Sequence, residues 1–315
     1  MFAPGGIRAT VGQGALRHGP PASVRQNIFH REAATVPSET DSFTLGLSPC
    51  PNDTFIFHAL LHGLVPFERA ISSHMADVEE LNGLAARGAL MATKMSLGAA
   101  AAIMDRYALL SSGAALGFGC GPLVVAKSPI PEAEWKNARV AVPGRLTTAN
   151  LLLSLHGGFA EERCEMLFSD IMPSVARGDV QIGVIIHEGR FTYSEHGLVR
   201  LLDLGEWWEK TYGLPLPLGA IAVRRDVPRE TAFALQTAIA DSLLYARRTP
   251  GASRDFIHAH AQELADEVVD AHIKTFVTDF SLDLGAAGRD AITRLVERSA
   301  AMSGRRIPAE GLFLK

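Results

Sequence analysis

The fold of this chain is decided by the stretch Gly178-Asp-Val-Gln-Ile-Gly-Val-Ile-Ile-His187-Glu188-Gly-Arg190-Phe-Thr-Tyr193. Residues 180–186 are rich in β-branched and other apolar side chains, which predicts a strand buried on both faces, as in a parallel sheet. Parallel α/β sheets bind ligands beyond the carboxyl ends of their strands, and His187 directly follows that end. Because imidazole titrates near neutral pH, His187 is a candidate for proton transfer. A histidine that only closes the strand, hydrogen-bonded to a carbonyl, explains this stretch equally well.

Length and composition are those of an ordinary soluble globular protein. The 315 residues suffice for two domains or one large one, with 47% hydrophobic and 20% charged residues. The chain has 30 Lys and Arg against 34 Asp and Glu, a net charge of −4, and the basic residues are scattered. That distribution argues against nucleic acid as a partner. No apolar stretch reaches the roughly 18 residues of a membrane-spanning segment, so we expect no membrane partner.

Cysteine usage and the N-terminal composition indicate a cytoplasmic location. Cys50, Cys120 and Cys164 are odd in number and far apart, which predicts free thiols in a reducing compartment and argues against a zinc site. Residues 1–42 are rich in Gly, Pro, Ser, Thr and charged residues and lack the apolar core of a secretory signal. We expect them to be a disordered extension or an over-long translation start. The sequence gives no indication of the oligomeric state.

Strand and helix patterns alternate from Phe43 onward and give way to a long helical tail from Arg229. This order predicts an α/β protein. We expect strands at residues 123–126 and 220–223 to connect two lobes, lobe I from residues 43–127 and 220–315 and lobe II from residues 128–219. A cleft between two lobes is a common place for a small-molecule site.

Several polar groups stand at predicted strand ends that face this cleft. They are the turn at residues 48–54, Lys94 with Ser96, the Thr147-Thr148 pair, and His187. In the turn, Asp53 or Thr54 is available to cap a helix that we predict from Phe55 to His62. The two threonines begin a helix after a strand and a glycine turn, and a helix start of this kind offers backbone N–H groups to an anion or carboxylate.

Six sequence blocks follow one another between residues 48 and 208. They are Ser48-Pro-Cys-Pro-Asn-Asp-Thr-Phe55, Asp77-Val-Glu-Glu-Leu-Asn82, Thr93-Lys-Met-Ser96, Val142-Pro-Gly-Arg-Leu-Thr-Thr-Ala149, Ile186-His-Glu188 with Arg190-Phe-Thr-Tyr193, and Asp203-Leu-Gly-Glu-Trp-Trp208. Taken together and in this order, the blocks resemble 1,4-dihydroxy-6-naphthoate synthase, the cyclic dehypoxanthine futalosine lyase of the futalosine route to menaquinone. The resemblance covers roughly residue 43 to the C terminus. The resemblance implies a two-lobed fold similar to periplasmic solute-binding proteins of the second type. It also implies a lyase that releases 1,4-dihydroxy-6-naphthoate without a metal or redox cofactor.

The resemblance also implies roles for individual residues. It makes His187 the proton acceptor and places substrate contacts at Lys94, Ser96, Thr147, Thr148 and Ala149. Candidates for a supporting role around them are Asn52, Asp53, Glu188 and Arg190. Without the resemblance, a solvated strand-end lysine and hydroxyls that cap turns or helices explain these positions.

Two other residue patterns carry less weight. Cys50 has no evident histidine partner in the sequence, so we rank it low as a nucleophile. His58 and His62 are four residues apart but lack the glutamate of a His-Glu-x-x-His motif. We interpret them as helix-face residues rather than metal ligands.

Two further functions fit the same sequence. One is a non-catalytic small-molecule binding protein of the same fold. If that protein served in solute transport, we would expect a secretory signal, and none is evident in this sequence. The other is a chorismate dehydratase of the same pathway. The Ser-Pro-Cys-Pro-Asn-Asp and Ile-His-Glu blocks favour the naphthoate enzyme, and its substrate is the small molecule that we expect as partner.

Overall fold

Two β-sheets with helices packed against them make up the structure, a computed structural model that describes residues 42–261 and 265–315. The strands are β1 (Phe43–Leu47), β2 (Ile71–Met75), β3 (Ala92–Ser96), β4 (Tyr107–Leu109), β5 (Ala115–Gly117), β6 (Leu123–Ala126), β7 (Val140–Val142), β8 (Arg163–Glu165), β9 (Ile182–Ile185), β10 (Val199–Asp203) and β11 (Leu216–Arg224). The helices are α1 (Pro51–Leu61), α2 (Val78–Ala86), α3 (Ala100–Ile103), α4 (Thr148–His156), α5 (Phe168–Arg177), α6 (Gly189–Thr192), α7 (Leu204–Tyr212), α8 (Arg229–Arg248), α9 (Arg254–His260), α10 (Asp266–Phe276), α11 (Asp279–Leu282) and α12 (Gly285–Ser303). The predicted N-terminal extension, apart from Ser42, lies outside the described residues.

The first sheet has the strand order β2-β1-β3-β11-β4, with β5 also paired to β11. β1 runs parallel to β2 and β3, whereas β11 runs antiparallel to β3, β4 and β5. All five residues of β3 are buried. Lys94 and Ser96 therefore lie in a covered central strand, and the alternative of a solvated strand-end lysine is wrong.

The second sheet has the order β10-β6-β9-β7-β8. β9, the strand that precedes His187, lies at its centre, and all four of its residues are buried. The prediction of a buried strand over residues 180–186 is confirmed for residues 182–185, whereas Gln181 is exposed and Ile186 is half-buried. The sheet is mixed, however, because β7 runs parallel to β9 on one side and β6 antiparallel to it on the other.

The chain passes from the first sheet to the second before β6 and returns to the first at β11. β6 pairs with β9 and β10, so the predicted boundary at residues 127 and 128 falls after a strand of the second sheet. The predicted boundary at residues 219 and 220 falls inside β11.

α1 begins four residues earlier than predicted, at Pro51, with Cys50 as its N-cap residue. Proline suits the first helical position because its missing N–H would have no partner there. The prediction that Asp53 or Thr54 caps this helix is wrong. Thr54 donates its hydroxyl to the Cys50 carbonyl at 3.0 Å, and the Asp53 carboxylate accepts hydrogen bonds described below.

The helical tail differs from the prediction at one point. We predicted a long helical tail from Arg229, but the helical pattern is interrupted where α9 ends at His260 and α10 begins at Asp266. α10 packs against α1, so it brings His272 beside the turn that follows β1. Among the described residues, no helix is both long and apolar enough to cross a membrane.

Candidate functional site

One cavity is lined from both sheets, and it collects most of the residues singled out in the sequence. From the first sheet and its helices come residues such as Asn52, Lys94 and Ser96, and from the second come Thr147, Thr148, Ala149, His187 and Arg190. Two of the ten predicted site residues lie elsewhere. Asp53 is fully buried behind Lys94, and Glu188 lines a neighbouring depression beside Phe168.

His187 lies in a strained turn between β9 and α6. Its φ of 55° is the single positive value found at a non-glycine position in the described part of the chain. Such a conformation costs about 1–3 kcal/mol and persists only where the surrounding structure enforces it. The ring is partly buried; its centroid is 4.9 Å from that of Phe168, and it lies parallel to the ring of His272 at 6.2 Å. The surrounding structure therefore fixes the backbone at this imidazole.

Lys94 is held by a buried ion pair with Asp53. The Lys94 Nζ to Asp53 Oδ1 distance is 2.7 Å, and the two side chains are 7% and 0% exposed. The same carboxylate accepts from the Ser48 backbone N–H at 3.1 Å, the Ser48 hydroxyl at 2.8 Å and the Asn52 amide at 2.8 Å. Asp53 thus takes four donors, so the ammonium is fixed in place while it also lines the cavity.

The start of α4 faces the cavity as predicted, but its hydroxyls are engaged with the protein. Thr147 caps the helix by accepting from the Asn150 N–H at 3.2 Å. Thr148 Oγ1 accepts from the Gly98 N–H at 3.0 Å and donates to the Leu218 carbonyl at 2.5 Å. The N–H groups of a first helical turn have no acceptor within the helix. The backbone N–H groups of Thr148 and Ala149 are therefore what α4 offers to a ligand.

Ser96 is oriented by a buried asparagine of α2. Asn82 accepts from the Ser96 backbone N–H at 2.8 Å and donates to the Ser96 hydroxyl oxygen at 3.1 Å. Asn82 also donates to Glu79 at 3.1 Å, and Glu79 in turn accepts from the Leu146 N–H at 2.9 Å. Burial raises the pKa of the Glu79 carboxyl. This chain of contacts ties β3 to the loop that begins α4.

Arg190 is held by a buried acid that lies outside the set of predicted site residues. The Arg190 guanidinium donates to Asp203 at 2.8 Å and to the Gly121 carbonyl at 2.7 Å. Asp203 also caps α7 by accepting from the N–H groups of Gly205 and Glu206. The Arg190 side chain is 17% exposed, so it is a largely buried wall of the cavity.

Two residues of the site were missed or set aside in the sequence. Cys50 lies with its sulfur 3.3 Å from His187 Nδ1. The structure thus gives Cys50 the histidine neighbour that was not evident in the sequence. Burial first, and the Glu188 carboxylate second, raise the pKa of its thiol, whereas a nucleophilic cysteine needs a lowered pKa. His272 of α10 is fully buried and lies 2.9 Å from Asn52 Oδ1 through its Nε2. Burial, with His187 and Lys94 nearby, lowers the pKa of His272 well below its usual range.

The remaining histidine pair lies away from this cavity. The rings of His58 and His62 are 4.4 Å apart and adjoin Phe256. Burial and the neighbouring His62 lower the pKa of His58. Within residues 42–261 and 265–315, no group of three or more His, Cys, Asp or Glu side chains is arranged to hold a metal ion.

Comparisons with known proteins point to one family. The menaquinone biosynthesis family matches residues 43–301. The 1,4-dihydroxy-6-naphthoate synthase of Thermus thermophilus is 50% identical over 262 residues, which are 83% of this chain and 95% of that protein. The enzyme of the same name from Streptomyces coelicolor is 44% identical over 266 residues, 83% of this chain and 94% of that protein.

Solved structures confirm the predicted α/β fold with two lobes. Protein AF1704 of Archaeoglobus fulgidus aligns with a TM-score of 0.79 and 35% identity, covering 85% of this chain and 99% of that one. A Candida albicans protein described as having the generic periplasmic binding protein fold aligns with a TM-score of 0.60 and 13% identity, covering 84% and 90%. At 13% identity, the match to the Candida albicans protein supports only the fold.

Proposed function

Because this chain belongs to the menaquinone biosynthesis family, we propose that it is a 1,4-dihydroxy-6-naphthoate synthase. In this proposal it acts as a lyase on cyclic dehypoxanthine futalosine, cleaves a carbon–carbon bond and needs no cofactor. The two relatives of that name, which match over more than nine-tenths of their length, support the assignment. The three free cysteines suit the cytoplasm, where we place the reaction.

One observation carries the mechanism: His187 lines the same cavity as Lys94 and the start of α4. The reaction needs a base to remove one proton, after which aromatisation of the departing ring drives the cleavage. Cys120 also lines the cavity, but burial raises the pKa of its thiol to about 12. Lys94 and Arg190 are both engaged as cations with carboxylates. His187 is therefore the group that we assign as general base.

The other lining groups are assigned to negative charge on the substrate. The Lys94 ammonium has three N–H donors, and Asp53 takes one of them. The others are directed to a carboxylate or a developing oxyanion in this proposal. The backbone N–H groups and the positive end of α4 support the same charge. Ser96, whose oxygen accepts from Asn82, keeps its hydroxyl proton for a substrate acceptor.

The test is to incubate the purified protein with cyclic dehypoxanthine futalosine and to measure 1,4-dihydroxy-6-naphthoate by mass spectrometry. His187→Asn should lower kcat by about 10²–10⁴-fold, the usual worth of a general base, with product binding retained. His74→Asn is the matched control, since His74 is an exposed residue of the edge strand β2. Near-normal turnover by His187→Asn would show that another group is the base.

Two rivals are tested in the same experiment. Chorismate supplied in place of the cyclic precursor should be left unchanged; its dehydration would make the protein a chorismate dehydratase. Thermal stabilisation by cyclic dehypoxanthine futalosine without any product would indicate a binding protein instead. Either result would overturn the proposed function.

A further inference from the structure

His272 is a buried histidine that the proposed mechanism does not use. It lies on α10 with no exposed surface, and its ring is parallel to that of His187 within 6°, with the ring centroids 6.2 Å apart. Its Nε2 is 2.9 Å from Oδ1 of Asn52, although 220 residues separate the two in sequence. His272 therefore adjoins the proposed base on one side and a cavity-lining amide on the other.

The direction of the hydrogen bond between His272 and Asn52 follows from the Asp53 carboxylate, which can only accept. Asp53 Oδ1 lies 2.7 Å from the Lys94 Nζ and 2.8 Å from the Asn52 side-chain nitrogen. The reverse orientation of the Asn52 amide would place two oxygens in contact, so the amide presents its NH2 group to Asp53. Its carbonyl oxygen then faces His272 and accepts. The Nε2 atom of His272 is therefore the donor and carries a proton.

The other ring nitrogen determines the charge of His272. Nδ1 is buried and has no hydrogen-bond partner among the described residues, so a proton there would be neither solvated nor accepted. The charged or titratable groups near the ring are His187 and Lys94, with Asp53 beyond Asn52; β5, which also packs against α10, has none. Burial, then His187 and Lys94, lower the pKa of His272. The ring is therefore neutral and protonated only at Nε2.

We propose that His272 is a positioning residue: as a neutral ring protonated at Nε2, it holds the donors around Asp53 in one orientation and covers one face of His187 without placing a second charge there. No proton moves along this chain in the reaction, because His272, Asn52 and Lys94 all donate in the direction of Asp53. The effect on the substrate is indirect, through the placement of the Lys94 ammonium in the cavity. That effect rests on the proposed function, whereas the orientation of the chain does not.

The protonated nitrogen of His272 can be measured on the full-length protein labelled with ¹⁵N-histidine. Two-bond nitrogen–proton couplings distinguish the Nε2–H form from the Nδ1–H form, and the signals of His272 are those missing from His272→Gln. We expect the Nε2–H form at every pH from about 6 to about 8, the range in which an ordinary histidine loses its charge. A His272 that carries its proton at Nδ1, or that becomes a cation within this range, would overturn the proposal.

Two variants of His272 test its effect on the site. His272→Gln keeps an N–H donor at about the position of Nε2, whereas His272→Leu leaves the Asn52 carbonyl buried without a donor. The affinity for 1,4-dihydroxy-6-naphthoate, measured by calorimetry, should fall by up to about tenfold in His272→Leu, the effect of one lost hydrogen bond. It should stay close to the wild-type value in His272→Gln. His258→Leu is the matched control, because it loses a hydrogen bond to Asp266 outside the cavity lining.

Comparison of the two variants separates positioning from packing. A purely structural role would lower the unfolding temperature and leave the product affinity of the folded protein unchanged. Unchanged affinity in His272→Leu, or an equal loss in both variants, would contradict the proposal. If His272→Leu does not fold, the spectra of the wild-type protein still decide it.

Failure of the proposed function looks different. A wild-type protein that neither forms nor binds 1,4-dihydroxy-6-naphthoate would refute the enzymatic assignment. The spectra would then still show whether His272 donates to Asn52 from Nε2.

Discussion

The buried pair of Lys94 and Asp53 gives the most stringent test of how the site is built. Asp53→Asn keeps the size of the side chain but removes its charge, which leaves a Lys94 ammonium that is 7% exposed without a counter-ion. Removing one partner of a buried ion pair costs about 3–5 kcal/mol. At about 2 °C per kcal/mol for a large domain, the midpoint of thermal unfolding should fall by about 6–10 °C.

The assay is thermal unfolding followed by circular dichroism, with urea unfolding to check the free energy. Glu206→Gln is the matched control, because it breaks an exposed pair with Lys210 on α7 whose worth is below about 0.5 kcal/mol. Lys94→Met combined with Asp53→Asn should recover part of the loss, since no uncompensated ammonium remains. If Asp53→Asn melted no lower than Glu206→Gln, the reasoning about this buried charge would be refuted.

Three further predictions concern contacts around the cavity. A Cβ on Gly98 would lie 2.5 Å from the Thr147 carbonyl oxygen, so Gly98→Ala should lower the free energy of unfolding by about 1–3 kcal/mol in urea titrations. Thr148→Val removes the acceptor of the Gly98 N–H and the donor to the part-buried Leu218 carbonyl; it should destabilise by about 1–3 kcal/mol in the same assay, besides any change in KM. Burial raises the pKa of the Cys50 thiol, so at pH 8 Cys50 should stay unmodified by iodoacetamide in peptide mass maps while the more accessible Cys164 reacts first.

Local patterns in the sequence predicted the parts of the site that are local in the structure. The apolar run before His187 has a length and composition typical of a buried strand, and β9 is one. The threonines after a glycine turn signalled the start of α4, where Thr147 does cap the helix. Both patterns arise from neighbours in the chain, so periodicity and capping preferences suffice to find them.

The contacts that orient the site join distant residues, and no local pattern signals them. Asn52 and His272 are 220 residues apart. The sequence around His272 shows only the spacing of an amphipathic helix. Its position beside Asn52 depends on how α10 packs against α1. Asp53 was predicted as a helix cap because the residue type favours that role. Burial against Lys94 overrides this preference, since an unpaired charge there costs more than a missing cap.

The hydrogen-bond network centred on Asp53 can be tested for its separate contributions to stability and to activity. Buried ion pairs are seldom a source of stability, because desolvating two charges offsets most of their attraction. Lys94→Met with Asp53→Asn leaves no uncompensated ammonium and keeps a side-chain acceptor for Ser48 and Asn52, so this double variant should cost less stability than Asp53→Asn alone. The same double variant removes from the cavity the ammonium that, in our proposal, holds the negative charge of the substrate. A folded and inactive double variant would therefore mean that this charge pair is retained for the placement of reactive groups, and that the fold itself does not need it.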